Sequence, residues 1–480
     1  MNVAIIPTAY RTVFFHAIAH RLEAGGHSIF WLSPNERWAR WLLKQGVSRG
    51  AVLAATSEGA DWANGAAPSP GEIRRLSELE GAARLTINDI ILMDPLLVRR
   101  PRARALKYLA TCDRQVSAFL ARNEIGVVFG EQTWAIELLI GQICRERGVA
   151  HLVPHTVRIP DPRFAFFEGH TEAALLECRT ATDDDHREAK ASLGHFRARL
   201  PRPEYTRVDR SVLRPTRERL QTLARHLFDL AGDPFDETSR RPLGLVVDHS
   251  LQLARGTWRR VAGRWATPPS TPRRPYVFFP LHKQPEASID IKGSPYSNQV
   301  EIIRALARTL PVSHDLYVKE HAVALNTRPR AFYRDLRGIP GVILIGPSVD
   351  SFELIRRAEL VVTVTGTAAY EAALLGRPAA TIAPVFFDRL VAWPRFDPFR
   401  DSLRVLLAQG GGQKSDDELI ESLAWILANS FPGLVGDAFW QPTSMNDENL
   451  DQVCRGFETA LRTLGASGST TASTARGRAR

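Results

Sequence analysis

Cysteine is scarce in this chain and poorly placed for pairing. Cys112, Cys144, Cys178 and Cys454 are the only four in 480 residues, and none forms a Cys-x-x-Cys pair. Neither a disulfide framework nor a zinc site is indicated, no metal is expected, and a reducing compartment fits. Long apolar runs are also missing, since nothing approaches the ~20 residues that span a bilayer. The chain opens on Asn2-Val3-Ala4-Ile5-Ile6-Pro7, without the basic flank and cleavage site of a signal peptide. The expectation is therefore a cytoplasmic protein, neither secreted nor integral to a membrane. There is no repeat of solenoid period and no sustained heptad pattern. The aromatic-plus-glycine strand signatures of RNA modules and the spacing of zinc fingers are absent too, so nucleic acid is not an expected partner.

What is present is the balance of a soluble globular protein, 44% hydrophobic and 24% charged, long enough for two or three domains. A net charge of +10 points to anionic partners, among which nucleotide-activated sugars and an anionic lipid surface remain.

The most informative stretch is Tyr276 to Asp388. An apolar strand, Tyr276 to Pro280, runs straight into Leu281-His282-Lys283-Gln284-Pro285-Glu286-Ala287-Ser288, a polar segment that Pro285 keeps out of a helix. A helical period follows from Asn298 to Thr309. Asp315 to Val318 reads as a second strand ending in Lys319-Glu320-His321, Val342 to Ile345 as a third and Leu360 to Thr365 as a fourth. A short helix over Ser351 to Arg357 separates the last two. The fourth strand closes on Gly366-Thr367 and a helix to Leu375, which Gly376-Arg377-Pro378 stops before a fifth strand at Ala379 to Ala383. Strands alternating with helices predict a parallel, doubly wound sheet, whose ligands bind outside the carboxyl ends of the strands. The polar clusters lie at those ends. Gly366 lets a backbone approach a ligand, the amides opening the next helix attract a phosphate, and Glu371, one turn on, reaches past the phosphate to a ribose.

The order Pro-Leu-His-x-Gln-Pro-Glu-Ala-Ser (Pro280 to Ser288), Tyr-Val-Lys-Glu-His (Tyr317 to His321) and Thr-Gly-Thr-Ala-x-Tyr-Glu-Ala-x-Leu-x-Gly-x-Pro (Thr365 to Pro378) resembles the capsule polysaccharide biosynthesis family. The resemblance is strong over Tyr276 to Asp388, faint over the first half and absent from the tail. It implies a glycosyltransferase of GT-B type, with two doubly wound Rossmann-type domains facing a central cleft. The best understood members transfer Kdo from CMP-Kdo. Donor contacts are implied through a Gln-Pro motif, here Gln284-Pro285, and a His-Pro motif, from which this chain departs because Ala322 follows His321. The glycine, glutamate, glycine and proline of Gly366 to Pro378 are also similar to the ribose-and-phosphate helix of other GT-B transferases and of UDP-sugar epimerases.

The first half opens another alternation: strand Asn2 to Pro7, helix Thr12 to Ala24, strand Ser28 to Leu32. Ala54 to Gly71 reads as a surface loop, with helices alternating through Leu120. A buried strand at Ile125 to Gly130 ends in Glu131-Gln132-Thr133 before a helix from Trp134 to Arg147. Ala150 to Pro154 is the next strand, followed by a shaped loop, His155 to Asp161. Glu131 and, after it, Asp161 are the candidate base or nucleophile on the acceptor side, although a carboxylate at Glu131 equally suits the N-terminus of a helix as a mere dipole partner. The expected organisation is an acceptor-side domain over 1–170, a helical connecting region and linker over 171–270, a nucleotide-sugar domain over 271–410, C-terminal helices over 411–464 and a disordered basic tail over 465–480. Ser415-Asp416-Asp417-Glu418 signals the first of those helices.

Together these readings predict transfer of a sugar from CMP-Kdo or another sugar nucleotide to a growing capsular or surface polysaccharide, without a cofactor. The acceptor is a glycan or glycolipid, and the inner face of an anionic membrane is a possible peripheral site. Catalysis is assigned to Glu131, Asp161 and His321, and donor binding to Gln284, Pro285, Lys319, His321, Thr365, Gly366, Thr367 and Glu371. A nucleotide-sugar epimerase or hydrolase, or a non-catalytic component of capsule assembly, is the alternative.

Overall fold

The computed structural model describes residues 1–82, 85–158, 160–201, 235–238, 250–252, 254–255, 274–321, 324, 327–410, 412–439 and 441–477. The linker expected at 267–272 and most of the connecting region lie outside them, as does Ala322. The chain divides into two compact units, one of Met1–Ala181, His226–Arg240 and Ile426–Arg480, the other of Thr182–Arg225 and Arg241–Trp425. Both are α/β and Rossmann-like. No described helix is long and apolar enough to cross a membrane.

In the first unit the strands are β1 (Asn2–Ile5), β2 (Ser28–Ser33), β3 (Val52–Ala54), β4 (Val127–Phe129), β5 (Ala150–Thr156), β6 (Arg163–Glu168) and β7 (Ala174–Leu175). Their order is β6-β5-β4-β1-β2-β3, with β7 paired to β6. β1 to β5 are parallel, and the central β1 and β4 are buried, which is why they read as apolar runs without alternation. The helix Arg11–Ala24 connects β1 to β2, and Ala135–Glu146 connects β4 to β5.

Three features of this unit differ from the sequence expectation. The loop expected over Ala54 to Gly71 contains two helical turns, Ala55–Glu58 and Ala60–Ala63, because Trp62 is fully buried edge-on to Tyr108, 5.1 Å between ring centroids. After His155-Thr156 the chain turns back as β6, antiparallel to β5, burying Phe164, Phe166 and Phe167. The C-terminal segment also belongs to this unit.

In the second unit β8 (Tyr276–Pro280), β9 (Asp315–Lys319), β10 (Val342–Ile345), β11 (Leu360–Thr363) and β12 (Ala379–Thr381) form a wholly parallel sheet in the order β10-β9-β8-β11-β12. Helices Gln299–Thr309, Arg330–Arg337, Ser351–Arg357 and Thr367–Leu374 follow β8 to β11 in turn. Arg330–Arg337 was not expected, since only Tyr333 and Leu336 bury within its charged sequence. Val277, Phe279, Leu316, Val318 and Val362 fill the core with Ile302, Ile303 and Leu306 from the first helix.

The chain then returns to the first unit, where β13 (Phe431–Pro432) pairs antiparallel with β6. The last helix, Asp447–Gly477, sends Phe457 against Phe129 and Phe166, with ring centroids 4.7 and 4.9 Å apart. It continues through residues expected to form a disordered tail.

Candidate functional site

Both sheets reverse direction between their first and fourth strands, and at that point the outgoing loops part to leave room for a ligand. In the second unit the reversal lies between β8 and β11, where the loops bearing His282 and Thr363 to Thr367 leave the sheet.

His282 is the hub of this edge. Its backbone N–H donates to Gln299 Oε1 at 2.8 Å, and its carbonyl accepts from Gln299 Nε2 at 3.1 Å and from the Arg328 guanidinium. Its Nε2 lies 3.2 Å from Thr363 Oγ1 and accepts from the Thr365 amide at 3.4 Å. Thr363 Oγ1 in turn accepts from the Gly366 amide at 2.9 Å, so the threonine hydroxyl donates to the ring. Burial drives the His282 pKa down to about 3, with the charges of His321 and Arg328 acting in the same direction. The imidazole is neutral, and because Nε2 accepts, its proton sits on Nδ1.

This network corrects one expectation about the turn. The Gly366 amide is used internally and is not offered to an anion, so the open end of the helix begins with the amides of Thr367 and Ala368. Glycine is required at 366 for space: a Cβ there would meet Thr363 Oγ1 at 2.5 Å and His282 Cε1 at 3.4 Å. Thr365 fastens the turn by donating from Oγ1 to the Ser288 carbonyl at 2.7 Å.

Lys319 ends β9 at the same edge. It is 7% exposed, and no hydrogen bond or ion pair joins its ammonium to a described residue. Burial lowers its pKa, while Asp350, Glu320 and Glu371 oppose that shift from a distance. Glu320 is occupied elsewhere: wholly buried, it pairs with Arg328 Nε at 3.1 Å and accepts from the Tyr333 hydroxyl at 2.5 Å. His321 is half-buried, and desolvation lowers its pKa below the ordinary value of 6.5. That shift favours the neutral ring, which can donate through one N–H.

The Gln284 carboxamide is fully engaged by its own loop. Nε2 donates to Asp290 Oδ1 at 2.8 Å and to the Ser297 carbonyl at 3.0 Å, and Oε1 accepts from Gln299 at 2.6 Å. The Gln284–Pro285 peptide bond is cis, and Pro285 is exposed. Glu371 sits one turn into the helix Thr367–Leu374, partly buried and within the electrostatic reach of Lys319.

The first unit reverses between β1 and β4. Arg11, opening the helix after β1, forms an ion pair with Glu131, which follows β4. Glu137 lies in the first turn of the helix that follows, fully buried, accepting from the Thr133 and Trp134 amides at 2.6 and 3.1 Å and from Thr8 Oγ1 at 3.0 Å. Burial pushes its pKa up to about 7. Asp161 is not brought to Glu131 by any recorded bond. It is exposed, at the tip of the β5–β6 hairpin, where its peptide bond to Pro162 is cis.

Sequence reasoning undervalued His282 and missed Gln299, Arg328, Thr363 and Glu137. The Pro-Leu-His run signalled the first. The others act through contacts that no local pattern announces. Among the described residues no cluster of three or more His, Cys, Asp or Glu side chains is placed to hold a metal.

No protein-family model matches this chain, and no curated protein sequence does. Among solved structures it is similar to a beta Kdo 2,4 transferase, KpsC of Thermosulfurimonas dismutans, at 13% identity over 70% of this chain and 87% of that one, TM-score 0.37. UDP-GlcNAc 2-epimerase from Neisseria meningitidis, bound to UDP-GlcNAc, aligns at 13% identity over 97% and 99% of the chains with a TM-score of 0.22. The spinosyn rhamnosyltransferase SpnG aligns at 14% identity over 89% and 97%, TM-score 0.27. Likenesses this slight carry no argument about chemistry.

Proposed function

We propose that this protein is a GT-B-type glycosyltransferase that moves a sugar, with Kdo from CMP-Kdo as the first donor to try, from an activated nucleotide to a growing surface glycan. The observation that carries this reading is Lys319, a residue only 7% exposed whose ammonium makes no hydrogen bond or ion pair with a described residue, at the same sheet edge as the open helix end of Thr367 and Ala368. A leaving nucleotide gains negative charge as the glycosidic bond breaks. Donors already fixed around that charge stabilise it without reorganising. Lys319 supplies a cation, the Thr367 and Ala368 amides receive phosphate oxygens, and His321 donates a hydrogen bond. Glu371 takes the ribose. Gln284 and Pro285 shape the loop beside them, with Thr365 and Gly366 holding the turn. With the leaving charge met in this way, the reading requires no metal.

The first unit is assigned the acceptor. Glu131, oriented by Arg11, is the carboxylate that removes the acceptor's proton or attacks the sugar carbon, and Asp161 is the second candidate. Because surface-glycan acceptors are often lipid-linked, the protein works at the inner membrane face, drawn there by its net charge of +10.

The test is nucleotide release from CMP-, UDP- and GDP-sugars with and without a glycan acceptor. Acceptor-dependent release is expected. Product from sugar nucleotide alone points to an epimerase or hydrolase, and nucleotide binding without turnover in any pairing points to a non-catalytic assembly component.

A further inference from the structure

A second surface lies at the opposite edge of the second unit's sheet. The helices Gln299–Thr309 and Arg330–Arg337 run back from the carboxyl to the amino ends of the strands, and between them opens a groove of about 520 Å³. Arg304, Arg308 and Arg334 line it beside Asp335, over a floor that includes Ile339 and Pro340. Arg304 pairs with Glu301 one turn back, and Arg334 Nε reaches Asp335 at 3.3 Å. Arg308 is exposed and makes no hydrogen bond or ion pair with any described residue.

The loop just past the first helix carries Val312, which is 93% exposed. Its carbonyl accepts from Arg274 Nη1 at 3.3 Å, so a fourth arginine stands next to this apolar tip. Four arginines, two of them paired with Glu301 and Asp335, thus gather about a branched aliphatic side chain held in water.

We propose that this arginine-rimmed groove and the Val312 tip dock the protein on an anionic lipid bilayer. The inference rests on the proposed membrane-borne acceptor and identifies the surface that reaches it. Guanidinium groups bind phosphate through paired N–H donors and are weakly hydrated, which suits a headgroup layer. An apolar tip beside them gains by entering the boundary between headgroups and acyl chains, whereas a hydrophilic polyanion offers Val312 nothing. Basic residues at such a surface add their attractions, and several together localise a protein reversibly. The candidate donor site lies at the carboxyl edge and stays free.

The experiment is sedimentation of the full-length protein with vesicles of phosphatidylglycerol and phosphatidylcholine, or of phosphatidylcholine alone, at low and high salt. Binding to the anionic vesicles that weakens with salt is expected. Arg308→Glu/Arg334→Glu should weaken it on the order of tenfold or more. Arg49→Glu/Arg74→Glu, the same charge change at exposed positions of the first unit, should leave it within about twofold. Val312→Asp should remove the part of the binding that survives high salt. Thermal unfolding and nucleotide binding of each variant check that the fold is intact. Equal losses from both arginine pairs, or no loss from the groove pair, overturn the proposal while leaving membrane association standing. Wild-type protein that ignores anionic vesicles overturns both.

Discussion

The two units wind their first five strands in one order, with the reversal between the first and fourth strands of each, yet they equip that point differently. In the first unit the charges answer one another: Arg11 pairs with Glu131, and the buried Glu137 rests on backbone amides. In the second, a neutral histidine ties the two loops together, and a buried lysine has no direct partner among the described residues. A shared topology thus fixes where a site sits and leaves its electrostatics to a few loop residues. The first edge orients a carboxylate, while the second brings in a lysine that pairs with no described residue.

The largest contrast should appear in stability. Arg328→Met strands the carboxylate of Glu320 in the core of the second unit and should cost roughly 3 to 5 kcal/mol in urea unfolding. Arg11→Met, which removes the partner of the partly exposed Glu131, should cost about 1 kcal/mol or less. Equal losses would break the comparison. Next in size, His282→Ala leaves the Thr363 hydroxyl and the Thr365 amide without their acceptor and opens a cavity, for a loss of roughly 2 to 4 kcal/mol by the same measurement.

Ligand binding should then divide by unit. Lys319→Met and Glu371→Ala should each weaken nucleotide binding by roughly 1 to 3 kcal/mol in calorimetry, the range for a charged hydrogen bond. Glu131→Gln should keep nucleotide affinity and lose turnover, because its contribution arises in the transition state. A Glu371→Ala protein that binds nucleotide normally would reduce the helix Thr367–Leu374 to an ordinary strand-to-helix connection.

The units should also have opposite signs of pH dependence. Burial raises the Glu137 pKa from 4.5 to about 7, so the native state holds a proton that the unfolded chain has released. Its contribution is complete below 4.5 and is lost as pH rises to about 7. The His282 pKa falls from 6.5 to about 3, so its contribution is complete above 6.5 and is lost as pH falls to about 3. Unfolding curves of Glu137→Gln and His282→Gln across both windows should each lack one slope, and loss of the same slope in both would be a contradiction.

Most of the second sheet was legible because its strands are buried on both faces and read as apolar runs capped by polar clusters. Lys319, His321 and Glu371 could be assigned to one edge for that reason. The helix Arg330–Arg337 was not legible, since its apolar side is only Tyr333 and Leu336. The antiparallel return of Phe164 to Phe167 as β6 was not legible either, since it depends on the chain reversal that includes Arg158 with its φ of 62°. The two-residue β13 offers too little sequence for any periodicity. In the site itself, the bond from His282 to Thr363 spans 81 residues, and the one from Arg328 to the His282 carbonyl spans 46. Separation of that length hides a partner from any local pattern, so Gln284 looked available for a ligand although Asp290, Ser297 and Gln299 already hold it.

The return of the chain to its first unit has a consequence for how the protein is made. Phe129, Phe164 and Phe166 are synthesised early, but the rings that cover them, Phe431 and Phe457, leave the ribosome only after the entire second unit. Domains generally fold as units while the chain emerges, and uncovered apolar surface invites aggregation in the interval. The second unit can complete its sheet first, whereas the nascent first unit must wait with an aromatic face open. A ribosome stalled before Phe431 would carry one finished unit and one adhesive one, so this chain should depend on chaperones for its oldest residues.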